Sequence, residues 1–274
     1  MNATLTVLVD NNVSCDGLQA EHGLAMLLRY GERSLLLDAA QNGETLAHNA
    51  AALGAALERV DAVVLSHGHY DHTGGLDAVL RRRGPVDVYA HPDAFARRWA
   101  NKPGRPMKDI SCPHQFGKLC NSGARFHPVT APERLDGGVL LSGPIGGPAW
   151  GSEGFAVSRA DEMVRDGFRD ELFVLVRGEN GWAVITGCCH RGLANTLHSA
   201  EFLSHSEPIR TIIGGLHLRG ADAVELQSVV ELLEAKGRPD VHPLHCTGED
   251  SVAYLRRQLG ECIHTAAAGS RIEL

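Results

Sequence analysis

The chain of 274 residues is 43% hydrophobic and 22% charged, ordinary globular usage that excludes a disordered, collagen-like or low-complexity polymer. At ~150 residues per domain it holds one large domain or two small ones. A formal net charge of -7, with Arg81-Arg82-Arg83 as the one basic run, argues against a nucleic-acid surface, which needs clustered Lys and Arg to neutralise phosphates.

In chain order, residues 3 to 9 (ATLTVLV) alternate as a half-buried strand, and residues 24 to 30 and 33 to 38 read as a hairpin turned at Gly31-Glu32. Gly43 to Leu57 has helical propensity, and the apolar run AVVLS after it is typical of a buried strand. A helix carrying Leu76, Val79 and Leu80 is expected from near Asp71, followed by the strand VDVYAHP at 86 to 92. Residues 92 to about 166 are rich in Pro and Gly with weak periodicity, and are predicted to form an irregular insertion or lid. Beyond them ELFVLVRGENGWAVITG is a second hairpin turned at Gly178 to Gly181. A helix from about Leu193 to Leu203, the strand IRTIIGG and a longer helix ending at Gly237 come next. DVHPLHC, the helix EDSVAYLRRQL and a last strand SRIEL close the order.

The two halves repeat one series: hairpin, helix, strand, helix, strand. The spacing from Asp38 to His67 equals that from Cys188 to His217, and His91 and His245 each follow the next strand of their half. This predicts one domain over residues 1–274, α/β in class, with two helix-covered sheets packed face to face as pseudo-twofold halves. The strand-end loops of both halves then meet along one edge, which lets ligands far apart in sequence converge.

Seven cysteines, at 15, 112, 120, 188, 189, 246 and 262, form no C-x-x-C pair, and the odd count fits a disulfide framework poorly. MNATLTVLVDNN has no signal-peptide pattern, and no apolar run approaches the ~18 residues of a bilayer span. A cytoplasmic chain with free thiols and no membrane partner is therefore expected.

The composition also holds 15 histidines, and imidazole is the commonest metal ligand. The strongest local signal is His67-Gly68-His69-Tyr70-Asp71-His72, between a buried strand and a helix. His67 and His69, two apart on an extended segment, point the same way and can hold one metal; Asp71 and His72, in the following turn, can point into a neighbouring site. Gly68 keeps the segment narrow, and Gly74-Gly75 lets helix and strand approach closely.

VVLSHGHYDHTGGL resembles the signature of the metallo-β-lactamase superfamily of metal-dependent hydrolases. LVDNN, EHGLAMLL, SLLLDAAQNG, ITGCCHRGLANTL, IIGGLHL and HCTG extend the resemblance over most of the chain. They are similar to a branch labelled 7,8-dihydropterin-6-yl-methyl-4-(β-D-ribofuranosyl)aminobenzene 5′-phosphate synthase. The resemblance implies a four-layer αβ/βα sandwich with a metal site at one edge of its sheets. It implies that His67 and His69 belong to a first metal, Asp71, His72 and His245 to a second, and that Asp38 supports the motif from behind. The stretch VRDGFRDELFVLV lacks the histidine that most of the superfamily carries, and His190 is inferred to take that ligand's place. Cys188 falls where a bridging aspartate would stand, and reads either as a bridging thiolate or as a buried small hydrophobe.

Around these ligands, His217 reads as a substrate binder or proton donor, or as an outer structural residue. His22 belongs to the rim or to the plain surface, and Asn11 to a turn or to a contact orienting substrate. Asp71 and His217 are the candidate catalytic residues. The cofactor expected is a pair of divalent ions, zinc first, with manganese or iron as alternatives. Such a pair supplies a hydroxide nucleophile at neutral pH. The leading activity is hydrolysis of a small phosphoester or other anionic metabolite. The alternatives are a transferase condensing a pterin pyrophosphate with an aminobenzene ribofuranosyl phosphate, and iron-dependent redox chemistry. The expected partner is thus a small anionic substrate, and a homodimer is the base-rate assembly.

Overall fold

The structure is a computed structural model and describes residues 3–101, 104–136, 138–149, 153–160 and 162–274. Its first half runs β1 (Ala3–Val9), β2 (Ala25–Tyr30), β3 (Arg33–Leu37), α1 (Gly43–Ala52), β4 (Ala62–Val64), α2 (Tyr70–Thr73), α3 (Leu76–Arg83) and β5 (Val86–Ala90). A middle stretch contributes β6 (Arg98–Ala100), β7 (Lys108–Asp109), α4 (Phe116–Asn121), β8 (Ala124–Pro128), β9 (Glu133–Asp136), β10 (Val139–Leu141), β11 (Phe155–Arg159) and β12 (Glu162–Arg165). The second half runs β13 (Val174–Arg177), β14 (Trp182–Thr186), α5 (Leu193–Leu203), β15 (Ile209–Gly215), α6 (Ala223–Ala235), β16 (Asp240–Leu244), α7 (Glu249–Leu259) and β17 (Arg271–Glu273).

A seven-stranded sheet has the order β17-β1-β2-β3-β4-β5-β8, and a six-stranded sheet the order β16-β15-β14-β13-β10-β9. The expected repeat holds at the level of pairing. In the first half β2 pairs antiparallel with β3, and β3-β4-β5 run parallel; in the second β13 pairs antiparallel with β14, and β14-β15-β16 run parallel.

The inner faces meet in one core, where Leu5, Val7, Met26, Leu28 and Leu35 pack with Val139, Leu141, Val174, Ile185 and Ile213. On one outer face Leu27, Leu36 and Val63 are covered by Leu46 of α1 and by Leu76 and Val79 of α3. On the other, Ile212 and Val241 lie under Leu197 of α5, Val229 and Leu233 of α6 and Leu255 of α7. The four layers are therefore helix, sheet, sheet, helix, each sheet buried on both sides as parallel strands require.

Local sequence sets the element ends. The Asn42 side chain accepts from the Glu44 N–H and starts α1, and Asp222 with Glu225 forms a reciprocal capping box at the start of α6. The helix expected to run to Leu57 stops at Ala52, ahead of Gly54. The helix expected from Asp71 is split at Gly74-Gly75, where the chain packs so closely that a Cβ on Gly75 would lie 2.2 Å from the Ala39 carbonyl oxygen.

Residues 92 to 166 are more regular than the predicted irregular insertion, although 102–103, 137, 150–152 and 161 lie outside the described residues. β8 joins the first sheet beside β5, β9 and β10 join the second, and β6, β7, β11 and β12 form a separate four-stranded antiparallel sheet. These strands have two to five residues each, too few for a two-residue alternation to emerge from a Gly- and Pro-rich background. Among the described residues no helix is long and apolar enough to cross a membrane.

Candidate metal centre

The chemistry-bearing residues stand just after the C-terminal ends of the central strands. Asp38 follows β3, His67 and His69 follow β4, Cys188 and His190 follow β14, His217 follows β15 and His245 follows β16. Asp38, Cys189, His217 and His245 have φ of 57°, 62°, 52° and 50°. A left-handed backbone at a non-glycine residue costs about 1–3 kcal/mol and persists where packing over-determines it. These four positions stand at the edge where both sheets end.

His67, His69 and His190 form the first cluster, with their ligand atoms within 4.8 Å of one another. The ring centroids of His67 and His69 are 4.5 Å apart, and His190 lies 5.0 and 4.9 Å from them. Nε2 of His67, Nε2 of His69 and both ring nitrogens of His190 are buried with no hydrogen-bond partner. Burial, helped for His67 and His190 by neighbouring histidines, holds their pKa values well down, and holds His69 at about 3. Neutral imidazoles with ring nitrogens this close together, in a place where unmet polar atoms are costly, fit a divalent cation.

Asp71, His245 and His22 form the second cluster. Asp71 Oδ2 lies 3.1 Å from His22 Nε2 and 3.3 Å from His245 Nε2, and the His22 side chain is 49% exposed. Burial raises the Asp71 pKa, but hydrogen bonds from His22 and His245 outweigh it and hold the carboxyl well below the usual range. His72 sits between the clusters, its ring 4.2 Å from that of His67 and 5.0 Å from that of His245. Its Nδ1 is 2.6 Å from Asp38 Oδ2, and its Nε2 faces Cys188 Sγ at 3.2 Å. Burial opposes charge on His72, yet Asp38 raises its pKa to about 9.

Four further carboxylates hold this edge from behind. Asp38 Oδ1 accepts the Ser66 N–H at 2.7 Å, and Asp10 Oδ1 accepts the His245 N–H at 2.7 Å. Asp170 Oδ2 accepts the Gly68 N–H at 2.8 Å, while its Oδ1 takes the Arg98 guanidinium at 2.7 Å. Glu171 accepts the His190 and Arg191 N–H groups, each at 2.6 Å, and burial against those bonds lifts its pKa to about 7. Arg98 is itself fully buried and also bonds Asp166 at 2.8 Å. Each acid fixes the backbone of one ligand-bearing turn, so the donors are pre-organised from outside.

Gly68 matters for the same reason, since a Cβ there would lie 1.9 Å from the Ala94 carbonyl oxygen. His217 places its ring 4.2 Å from that of His190, beside the first cluster. Phe168 stacks on His190 at 4.0 Å, and Phe155 of β11 lies 6.0 Å from His69 and 5.9 Å from His217, giving that side an apolar wall. A cleft of about 850 Å³ adjoins His245 and is lined also by Asn12, Arg219, Thr247 and Arg256.

The structure thus gathers His67, His69, Asp71, His72, His190, His217 and His245 at one edge, with Asp38 behind them. His22, open between rim and surface on sequence grounds, belongs to the second cluster. Asn11 Oδ1 lies 2.8 Å from His245 Nδ1 and so fixes that ring. Sequence reasoning missed Asp170, Glu171, Arg98 and Cys246. Their partners are distant in sequence, so only EL ahead of FVLV and the cysteine beside His245 could have pointed to any of them. His114 and His127 lie away from the clusters, bonded to the Gly74 carbonyl and to Asp87.

Fold and site together define an α/β sandwich with a histidine-rich centre for divalent metal at the strand ends. The chain belongs to the metallo-beta-lactamase superfamily, whose profile matches residues 18–155. It is 25% identical over 268 residues, 93% of this chain and 90% of the relative, to the 7,8-dihydropterin-6-methyl-4-(beta-D-ribofuranosyl)-aminobenzene-5'-phosphate synthase of Methanocaldococcus jannaschii. An uncharacterized protein of the same archaeon, MJ0448, is 29% identical over 89% of this chain and 90% of its own length. Among solved structures, Tm1679, described as a metal-dependent hydrolase of the beta-lactamase superfamily, superposes with a TM-score of 0.84 at 28% identity, covering 99% of both chains. A diphosphatase of the PhnP family shares the fold, with a TM-score of 0.58 at 18% identity over 99% of this chain and 98% of its own.

Proposed function

We propose that the protein hydrolyses a small phosphoester or similarly anionic metabolite with the aid of two divalent ions, zinc foremost. His67, His69 and His190 are the ligands assigned to one ion, and Asp71, His72 and His245, with His22 beside them, to the other. The observation that carries this reading is the convergence of buried imidazole nitrogens without partners. When bound, such ions act as Lewis acids and lower the pKa of a water from 15.7 toward ~7.

The chain's own side chains supply the rest. Among the described residues Asp71 is the one carboxylate in the ligand clusters, so the loaded centre keeps a net positive charge and favours an anion. Asp38 holds His72 with Nε2 turned inward, and Asn11 and Asp10 do the same for the ring and backbone of His245. Phe155 and Phe168 keep water from one side of the first cluster. His217 stands beside His190 and is our candidate for giving a proton to the leaving group. The sequence offers no G-x-S-x-G elbow, in keeping with a reaction that needs no side-chain nucleophile.

The test is turnover of a panel of phosphomonoesters, phosphodiesters and phosphoanhydrides by metal-depleted protein reconstituted with zinc. Zinc-dependent hydrolysis is expected, abolished in His67→Ala and His245→Ala and slowed in kcat by His217→Ala. Absence of turnover across the panel by fully loaded protein overturns the reading. One observation favours a second reading: the similarity over 93% of the chain to a relative named as a synthase. Pyrophosphate release that requires both a pterin pyrophosphate and an aminobenzene ribofuranosyl phosphate would select that transferase activity instead.

A further inference from the structure

Beyond the histidines, the edge holds two buried thiols on adjacent strand ends, Cys188 after β14 and Cys246 after β16. Cys188 shares one donor cluster with His67 and His72, a second with His190 and His217, and a third with His245 and Cys246. No other side chain in these clusters is grouped both with His190 of the first triad and with His245 of the second. Cys188 Sγ therefore lies between the two halves of the site.

We propose that Cys188 bridges the two ions as a thiolate, so that the centre is built for thiophilic metals. The inference rests on the two-ion reading above and names the group that joins the ions. An anionic bridge has few other sources here. Both oxygens of Asp38, Asp170 and Glu171 are taken by backbone N–H groups, Ser66, His72 or Arg98, and Asp10 accepts from the His245 and Asn12 N–H groups. Asp71 already serves the second cluster. Cys246 is grouped with His245 but with no residue of the first triad, so Cys188 is the donor left between the triads, anionic once a metal displaces its proton.

The two adjacent cysteines have different surroundings, which argues against packing as the role of Cys188. Cys189 lies in the apolar cluster with Leu193 and Leu197 and bonds Thr196 Oγ1 at 3.3 Å. Cys188, also buried, joins none of the apolar clusters formed by the described residues, and its Sγ lies 3.2 Å from the inward-facing Nε2 of His72. Room for the thiols comes from Gly215, where a Cβ would lie 2.5 Å from Cys246 Sγ and 3.2 Å from Cys188 Cα. Cys246 donates to the Cys188 carbonyl at 3.4 Å and thereby fixes the turn that carries it. Metal binding releases the Cys188 thiol proton to solvent, and the resulting thiolate favours zinc or cobalt over manganese or magnesium.

Cobalt(II) titration of metal-depleted full-length protein tests this, because thiolate ligation gives a sulfur-to-cobalt charge-transfer absorption in the near ultraviolet. The expected band grows over both the first and the second equivalent and survives in Cys189→Ala and Cys246→Ser. It disappears in Cys188→Ser, which binds cobalt at least about tenfold more weakly. Far-UV circular dichroism checks the fold, and Cys188→Asp, with a carboxylate bridge in place of sulfur, retains both ions without the band. Two bound ions with no band in the wild type, or a band that persists in Cys188→Ser, overturns the bridge and leaves the hydrolase reading standing. A band that saturates at one equivalent also overturns the bridge, since it makes Cys188 a ligand of one ion. Failure to bind cobalt at all overturns both readings.

Discussion

His72 Nδ1 lies 2.6 Å from Asp38 Oδ2, with both side chains buried, and the same carboxylate takes the Ser66 N–H and hydroxyl. One acid thus ties the end of β3 to the turn after β4 and to α2. Asp38→Asn keeps the shape but turns an amide donor toward groups that already donate. Metal affinity is expected to fall about 10–100-fold, with about 1–3 kcal/mol lost in folding stability. Zinc titration and urea unfolding of the variant check both, and an unchanged affinity would remove Asp38 from the support of the site.

Arg98 is the buried hub on the opposite side, between Asp166 and Asp170. Arg98→Met strands two buried carboxylates, and a loss of about 3–5 kcal/mol is expected. Replacing all three residues together (Arg98→Met, Asp166→Asn, Asp170→Asn) removes the charges as well as their partner. The triple variant is therefore expected to be more stable than the single one. Denaturant midpoints rank them, and the reverse order would contradict the charge argument.

The structure also makes a prediction about acid. His242 stacks on His264 at 4.5 Å, and burial, with the neighbouring His264, holds its pKa at about 4. That lies below the unfolded value of ~6.5, so the unfolded chain takes up this proton first. The stability His242 confers in its neutral form is complete above pH ~6.5 and lost as pH falls through about 4. His242→Gln should flatten this limb by up to about one proton's worth of slope, read from urea midpoints between pH 7 and 4. Parallel profiles for variant and wild type would show that His242 does not titrate as described.

Two glycines should respond in opposite directions. Gly68→Ala drives a Cβ into the Ala94 carbonyl between His67 and His69, so both stability and metal binding should fall. Gly117 lies within helix α4, and a Cβ there would meet nothing within 4 Å. Gly117→Ala should raise stability by about 0.5–1 kcal/mol with metal binding untouched. Thermal unfolding with and without zinc distinguishes the two.

The ligand motif was legible because its geometry is local: two residues apart on a strand end fixes His67 and His69 on one side whatever the rest of the chain does. The duplicated element order was legible too, since hairpin, helix and strand each write their own periodicity, and it placed His217 and His245 on the edge that carries His67, while His190 entered through the family resemblance. Asp170, Arg98 and Glu171 carry no such mark. An acid that accepts from the backbone of a turn a hundred positions away, as Asp170 does from Gly68, has no spacing to reveal it. Strands as short as β6 and β7 were hidden for the related reason that their pairing partners, and not their own sequence, define them. The contact of Asn11 with the ring of His245 was not legible either, because a residue at a strand end can serve a turn, a ligand ring or a substrate, and only tertiary structure brings that ring to it.

The proposed two-ion centre draws on both halves of the fold, and the stoichiometry of bound metal is its sharpest test. Metal-depleted protein dialysed against zinc and analysed for bound metal should hold about two ions per chain. His190→Ala and His245→Ala should each retain about one or fewer while keeping the wild-type circular dichroism spectrum. Wild-type protein saturating at one ion, or either variant still holding two, would contradict the account.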